Sequence, residues 1–214
     1  MMITQLTGLS LFFAKALAVP ALSGYSVTWY DEFDGPKGSF PTGGWNVKIT
    51  TPAENFNDEQ QFYTNYASNG QLWGDGQLFI TPEKRGSNPQ YWTSARLESQ
   101  GAWYCPPGKA MIFQADLRGP DFTGNPSNLQ DRRNTDWTQQ KLIWYKDGAE
   151  YLTVTGANIG NFQIWEKLAY KSFFMILNVA VGGAGSHGGP WTSATIGGTA
   201  AALRVKYVAV YHST

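Results

Sequence analysis

The sequence predicts an all-β chain, a two-sheet antiparallel β-sandwich of jelly-roll type, and three observations carry that expectation. Twenty-four Gly and eleven Pro punctuate the 214 residues, leaving few stretches that keep a 3.6-residue apolar period. Short apolar or alternating runs recur between turn residues at hairpin spacing. Aromatic residues make up 15% of the chain and nine of them are Trp, side chains large enough to fill the space between two packed sheets. The length suits one domain with one substantial core.

In chain order, residues 27–33 (VTWYDEF) alternate, a Gly/Pro-bracketed loop follows, and residues 45–50 form a second strand. Residues 62–64, 77–81 behind the Asp75-Gly76 turn, 92–99 (WTSARLES) and 110–117 continue as antiparallel strands. From Gly119 to Asp136 the chain is polar, Gly/Pro-rich and aperiodic, and reads as a loop. Residues 141–146 (KLIWYK) and 149–155 flank Asp147-Gly148, the strongest hairpin signal in the chain, since Asp-Gly supplies the two positive-φ positions of a type I′ turn. Residues 162–169 (FQIWEKLA) suit a two-turn helix with Asn161 as N-cap. Residues 173–181 (FFMILNVAV) make an apolar strand interrupted by Asn178, and 203–211 (LRVKYVAVY) a closing one.

Lys plus Arg equals Asp plus Glu at 16 each, with no long run of either sign. Nothing therefore draws the chain to nucleic acid or an anionic membrane, and the expected partner is neutral. An apolar run over 6–14 is followed by Ala16-Leu17-Ala18, the small-x-small form of a signal-peptidase site. Residues 1–18 read as a signal peptide, with a secreted mature chain from near Val19; the alternative is a frayed N-terminal strand. The run falls short of the ~20 apolar residues that span a bilayer. Cys105 is the only cysteine, either the survivor of a disulfide or a buried thiol acting as a small hydrophobe.

Seven segments carry a resemblance: WYDEFDG (29–35), NDEQQFYTN (57–65), DGQLFITPEK (75–84), TSARLESQG (93–101), IWYKDGAEY (143–151), FFMILNVAVGG (173–183) and VKYVAVY (205–211). In this order they resemble the laminarinase-like branch of glycoside hydrolase family 16, endo-β-1,3(4)-glucanases with a concanavalin A-like jelly roll. The resemblance implies a β-glucan polysaccharide or oligosaccharide as partner, and the residues suit one, because flat aromatic faces meet sugar C–H surfaces while amides and guanidinium groups bond hydroxyls. Alternation along 92–99 puts Trp92, Ser94, Arg96 and Glu98 on one face. The resemblance implies glucan binding for Arg96 beside Trp92; a solvated surface arginine is the alternative. Asn178, an amide inside an apolar strand, must find partners or face a wet cleft, and the resemblance implies that this strand's polar positions face glucan. Asn57 and Trp103 complete the candidate binding set.

The same resemblance implies a strand of the form E-x-D-x-x-E or E-x-D-x-E. Its first Glu is the nucleophile and its last the general acid/base, at the ~5 Å of a retaining mechanism. Here the only Glu pair five apart is Glu54 and Glu59, with Phe56 at the Asp position, so no catalytic residues are assigned. The family's strands between the pieces resembling FQADLR and KLIWYKDG are lacking, which implies an internal deletion near 130/131, an incomplete sandwich over 19–214, and the loss of any mate for Cys105. Lys206 stands where some members bind calcium through an Asp, so no metal and no cofactor are expected. The reading is a monomeric, glucan-recognising, catalytically inactive domain. Two alternatives stay open, an active endo-β-1,3(4)-glucanase with carboxylates of another pattern and a splice or gene-model product that folds poorly.

Overall fold

The computed structural model describes residues 19–87, 90–119, 130–137, 141–183 and 189–214. The β-branched and aromatic residues at the end of the chain form β14 (Leu203–Ser213), which organises the larger sheet. It pairs antiparallel with β1 (Tyr25–Asp31), β5 (Leu78–Ile80) and β9 (Met111–Arg118). From β9 the sheet continues through β10 (Gln130–Trp137) and β11 (Lys141–Lys146) to β12 (Ala149–Thr155), and from β5 to β4 (Gly70–Leu72), eight strands in all.

Unbroken alternation would put Leu203, Val205, Tyr207, Ala209 and Tyr211 on one face. The ladder to β9 instead shifts register between Val205 and Tyr207, so Lys206 sits in a bulge and the faces exchange. Leu203, Val205 and Val208 enter the main core, while Tyr207, Ala209 and Tyr211 turn to the opposite side with Val19 and Ile112.

The second layer holds β13 (Ile176–Asn178), β8 (Arg96–Ser99) and β2 (Trp45–Val47), antiparallel in that order. Its Trp45, Leu97 and Leu177 meet Leu78, Ile80, Val205 and Val208 in the core between the layers. A third sheet has the order β3 (Gln61–Tyr63), β7 (Tyr91–Ser94) and β6 (Glu83–Arg85). Here β3 and β7 run parallel, unlike the antiparallel pairing expected throughout. The strand expected over 92–99 divides at the fully buried Ala95 into β7 and β8, which belong to different sheets.

Short-range chemistry fixes the corners. Asp31 Oδ1 accepts the Phe33 N–H at 2.7 Å and Oδ2 accepts the Trp45 indole N–H at 2.8 Å, which holds Phe33 at φ 52. Asp147 and Gly148 have φ 51 and 81, as the expected type I′ turn requires. Helix α2 (Phe162–Ala169) is capped as expected, Asn161 Oδ1 accepting from the Ile164 N–H at 3.2 Å. A four-residue helix before it, α1 (Gly156–Ile159), was not expected. Trp165 and Ala169 of α2 pack on Cys105, Met111 and Leu142 in a second cluster. Cys105 is a thiol outside any disulfide; burial pushes its pKa up, and Sγ lies 3.2 Å from the Lys109 carbonyl.

The loop expected over 119–136 needs correction, because β10 occupies its second half and pairs on both sides, with β9 and with β11. QDRRNTDW has no apolar alternation to announce a strand; its place comes from backbone pairing with two neighbours. The remainder of that expectation, at 120–129, and the signal peptide at 1–18 lie outside the described residues.

Among the described residues β13 is the edge strand of the second layer. Residues 173–177 line an apolar groove of about 470 Å³ floored by Phe113, Ala115, Leu117, Trp144 and Val208 of the large sheet. Consecutive residues point to opposite faces of an extended chain, so a groove touching all five runs along its edge, where a further strand would lie. Phe174 and Ile176 are exposed there.

Asp31→Ala removes an ionised acceptor from two donors and leaves the indole N–H of the buried Trp45 unmatched. At about 1.5–3 kcal/mol for a hydrogen bond to a charged group, we expect a loss of about 2–4 kcal/mol. It would be read as a lower urea midpoint, with Asp31→Asn recovering part of it.

Candidate functional site

The site is built outward from β3. Residues two apart share a face in an extended chain, and Glu59, Gln61 and Tyr63 are hydrogen-bonded to one another. Gln61 Nε2 and Tyr63 Oη each donate to Glu59 Oε2, both at 3.0 Å. Tyr63 Oη in turn accepts from Asn178 Nδ2 at 2.7 Å, and Gln61 Oε1 accepts from the Val181 N–H at 2.7 Å. Two side chains with almost no exposed surface, Gln61 and Tyr63, thus tie the carboxylate of Glu59 to β13 and the chain that follows it.

Across the β13–β8 ladder Asn178 stands directly opposite Arg96. Alternation on β8 sends Leu97 and Ser99 inward and leaves Arg96 and Glu98 together on the other face, joined by an Nε to Oε1 bond of 2.8 Å. Glu59, Tyr63, Arg96 and Glu98 line one cavity of about 130 Å³, with Lys48 and the exposed Phe56 at its wall. Burial, and then the negative charge of Glu59, push the Tyr63 phenol well above its usual range, so it stays a neutral donor. Glu54, also at the wall, is held below the usual carboxylate range by the backbone N–H and hydroxyl of Thr51.

The loop before β3 aims Glu59. Asn55 accepts from Thr50 Oγ1 at 2.6 Å and donates to the Gln61 carbonyl at 2.7 Å. Asn57 and Asp58 follow with φ 58 and 56 in a turn closed by the Glu59 N–H on the Phe56 carbonyl at 3.2 Å. Left-handed backbone at two successive residues favours Asn and Asp.

Of the expected binding residues, Arg96 and Asn178 are brought together. Asn57 is exposed in that turn, where its backbone shapes the approach to Glu59. Trp92 departs from expectation. It is 0% exposed, edge-on to Trp191 at 6.2 Å, and the break at Ala95 removes the face it was expected to share with Arg96. Trp103 is half-buried against Trp29 and Phe113, at 5.2 and 5.9 Å between rings, in the cluster beneath α2. Lys206 is in the β14 bulge with Nζ 3.9 Å from the buried Asp116 carboxylate. Among the described residues no three His, Cys, Asp or Glu are grouped to hold a metal. His187 lies outside the described residues.

Sequence reasoning passed over Tyr63, Gln61 and Glu98 as binding residues and treated Glu59 only as a failed nucleophile. A signal was present: E-x-Q-x-Y at 59–63 is a polar alternation at the edge of an apolar strand pattern, and one carboxylate with two long donors at that spacing can bond internally.

The jelly-roll β-sandwich of this chain is the fold of solved β-glucanases of glycoside hydrolase family 16. The endo-1,3-β-glucanase from Streptomyces sioyaensis matches with a TM-score of 0.79 at 24% identity, over 94% of this chain and 100% of that one. The endo-β-1,3-glucanase from Pyrococcus furiosus matches at 0.66 and 20% identity, over 89% and 95%. A non-specific endo-β-1,3(4)-glucanase of the family, presenting a 1,3-β-D-cellobiosyl-glucose at its active site, matches at 0.63 and 21% identity, over 92% and 97%. No protein-family model and no curated protein sequence matches the chain.

Tyr63→Phe leaves Asn178 without its acceptor and Glu59 with one donor fewer, and we expect a loss of about 1–3 kcal/mol in urea denaturation. The folded pKa of Tyr63 stands above its unfolded value. Its contribution is therefore fully present below about pH 10 and lost as pH rises through the folded value, a component of alkaline unfolding absent from the Phe variant.

Proposed function

We propose that this chain binds a neutral β-1,3-linked glucan at the Arg96–Asn178 cluster and does not cleave it. The observation that carries the reading is the pairing of Arg96 opposite Asn178 beside the Tyr63–Glu59 bond. It gathers a guanidinium, a phenol and carboxylates, groups suited to sugar hydroxyls, at one small cavity, with the Asn178 amide bonded to the phenol. Among the described residues the Nη groups of Arg96 make no hydrogen bond, leaving donors for a ligand. The fold likeness to β-glucanases, one of them holding a gluco-oligosaccharide, supports the ligand class.

Retaining hydrolysis needs one carboxylate to attack and a second, protonated one to donate, about 5 Å apart. Here Glu98 is paired with Arg96, while Glu59 accepts two donors. Both are held as acceptors, Glu98 on β8 and Glu59 in the loop before β3, and no E-x-D-x-x-E pattern is present in the sequence. The chain acts as an exported monomer.

Titration calorimetry with laminari-oligosaccharides on folded protein is expected to show weak binding. Arg96→Ala and Asn178→Ala would each lower affinity about 10-fold or more, as loss of one charge-assisted or buried hydrogen bond implies. No heat above buffer would sink the proposal. Reducing ends released from laminarin, at a rate abolished by Glu59→Gln or Glu98→Gln, would show instead that these two carboxylates form a working catalytic pair.

A further inference from the structure

On the outer face of the large sheet Val19 is docked. Val19 is 8% exposed and packs with Ile112, Tyr207, Ala209 and Tyr211. The Pro20 carbonyl accepts from Tyr211 Oη at 2.9 Å. The Val19 nitrogen lies 3.1 Å from Oε1 of Glu32, a carboxylate itself only 7% exposed. The bond just before this nitrogen follows Ala16-Leu17-Ala18, the small-x-small form that signal peptidases cut. Two unrelated features, a cleavage pattern and a buried carboxylate, therefore meet at one atom.

We infer that Glu32 is the receptor for a new chain terminus, and that cleavage after Ala18 leaves on Val19 an ammonium that forms a buried ion pair with it. Water adds across the Ala18–Val19 amide, giving a carboxylate on the departing Ala18 and, at neutral pH, an ammonium on Val19. Before the cut the nitrogen offers Glu32 one N–H and no charge; afterwards it brings a full opposite charge and a charge-assisted hydrogen bond to a side chain already out of water. Maturation then stabilises the sandwich by joining its first residue to Glu32, just past β1, alongside the Pro20 bond to Tyr211 of β14. The inference rests on the proposed export and is independent of glucan binding, so a failed sugar titration leaves it standing.

A free α-amine titrates near pH 8, and a facing carboxylate raises that value. A raised folded pKa means the contribution is fully present below about pH 8 and lost as pH rises through the folded value. The other titratable side chains in the cluster that holds Val19 are Tyr25, Tyr207 and Tyr211. Burial pushes Tyr211 to about 12, clear of the window used.

The full chain would be produced in an exporting host and its N-terminus read by mass spectrometry. Melts at pH 7 and pH 9.5 would follow for the exported protein, its selectively α-acetylated form and Glu32→Gln. We expect Val19 as first residue, a Tm falling by several degrees between the two pH values, and that fall removed by acetylation or by Glu32→Gln. Labelling of the α-amine at pH 7 should run several-fold slower than for a free peptide, a reading that needs no variant to fold. A different first residue, an unchanged pH response after acetylation, or peptide-like labelling would overturn the inference.

Discussion

One register shift organises this molecule. A strand of strict alternation has one apolar face, yet β14 must close the core against the smaller sheet and also cover the outer side where the chain begins. The bulge at Lys206 solves this by exchanging faces midway: Val205 and Val208 point to one layer, Tyr207 and Tyr211 to the other. An inserted residue bends and twists the strand locally. Lys206 itself stays at the surface beside Asp116, since neither apolar cluster has room for an ammonium.

The second constraint is the break at Ala95, which delivers one run of sequence to two sheets. Its first half, β7, carries Trp92 into the interior; its second, β8, carries Arg96 and Glu98 to a surface facing Glu59 and Tyr63. Because β3 lies beside β7 and β13 beside β8, the bonds from Tyr63 to Asn178 and from Gln61 to Val181 cross from one sheet to the other. The polar cluster is thus also the clamp between the two small sheets. A ligand that bonded its outer side would press on groups already held in place, which lowers the ordering cost of recognition.

Much of the fold was legible, and the reasons differ by element. The Asp147-Gly148 hairpin and the Asn161-capped helix were readable because their signals are local: two residues tolerant of positive φ, and an amide before an amphipathic turn. That Asn178 needs partners was readable because an amide in an apolar strand has few destinations; Arg96 was singled out through the resemblance, and the structure sets it opposite Asn178. Trp92 was misplaced because alternation was continued through Ala95, and a strand that changes sheets keeps no common face. β10 was missed because QDRRNTDW owes its conformation to β9 and β11, partners that no local window contains. Glu59, Gln61 and Tyr63 were legible as a pattern, but only geometry shows that they bond to one another and to Asn178.

The groove beside β13 bears on the strand that carries Asn178, since among the described residues β13 is an edge strand and Phe174 and Ile176 are exposed there. The hydrogen bonds say where it acts. On one side β13 is paired to β8 from Ile176 to Asn178. Just beyond it, Val181 donates to Gln61 Oε1 and accepts from the Gln60 N–H at 2.8 Å, while Ser99 holds Met175 from below through two bonds of 2.9 Å. None of these contacts uses the groove side. What the open edge withholds is apolar burial on the floor of the large sheet, a loss felt in the stability of the whole sandwich. The polar cluster, anchored from the other side, keeps its geometry for as long as the two small sheets stay joined.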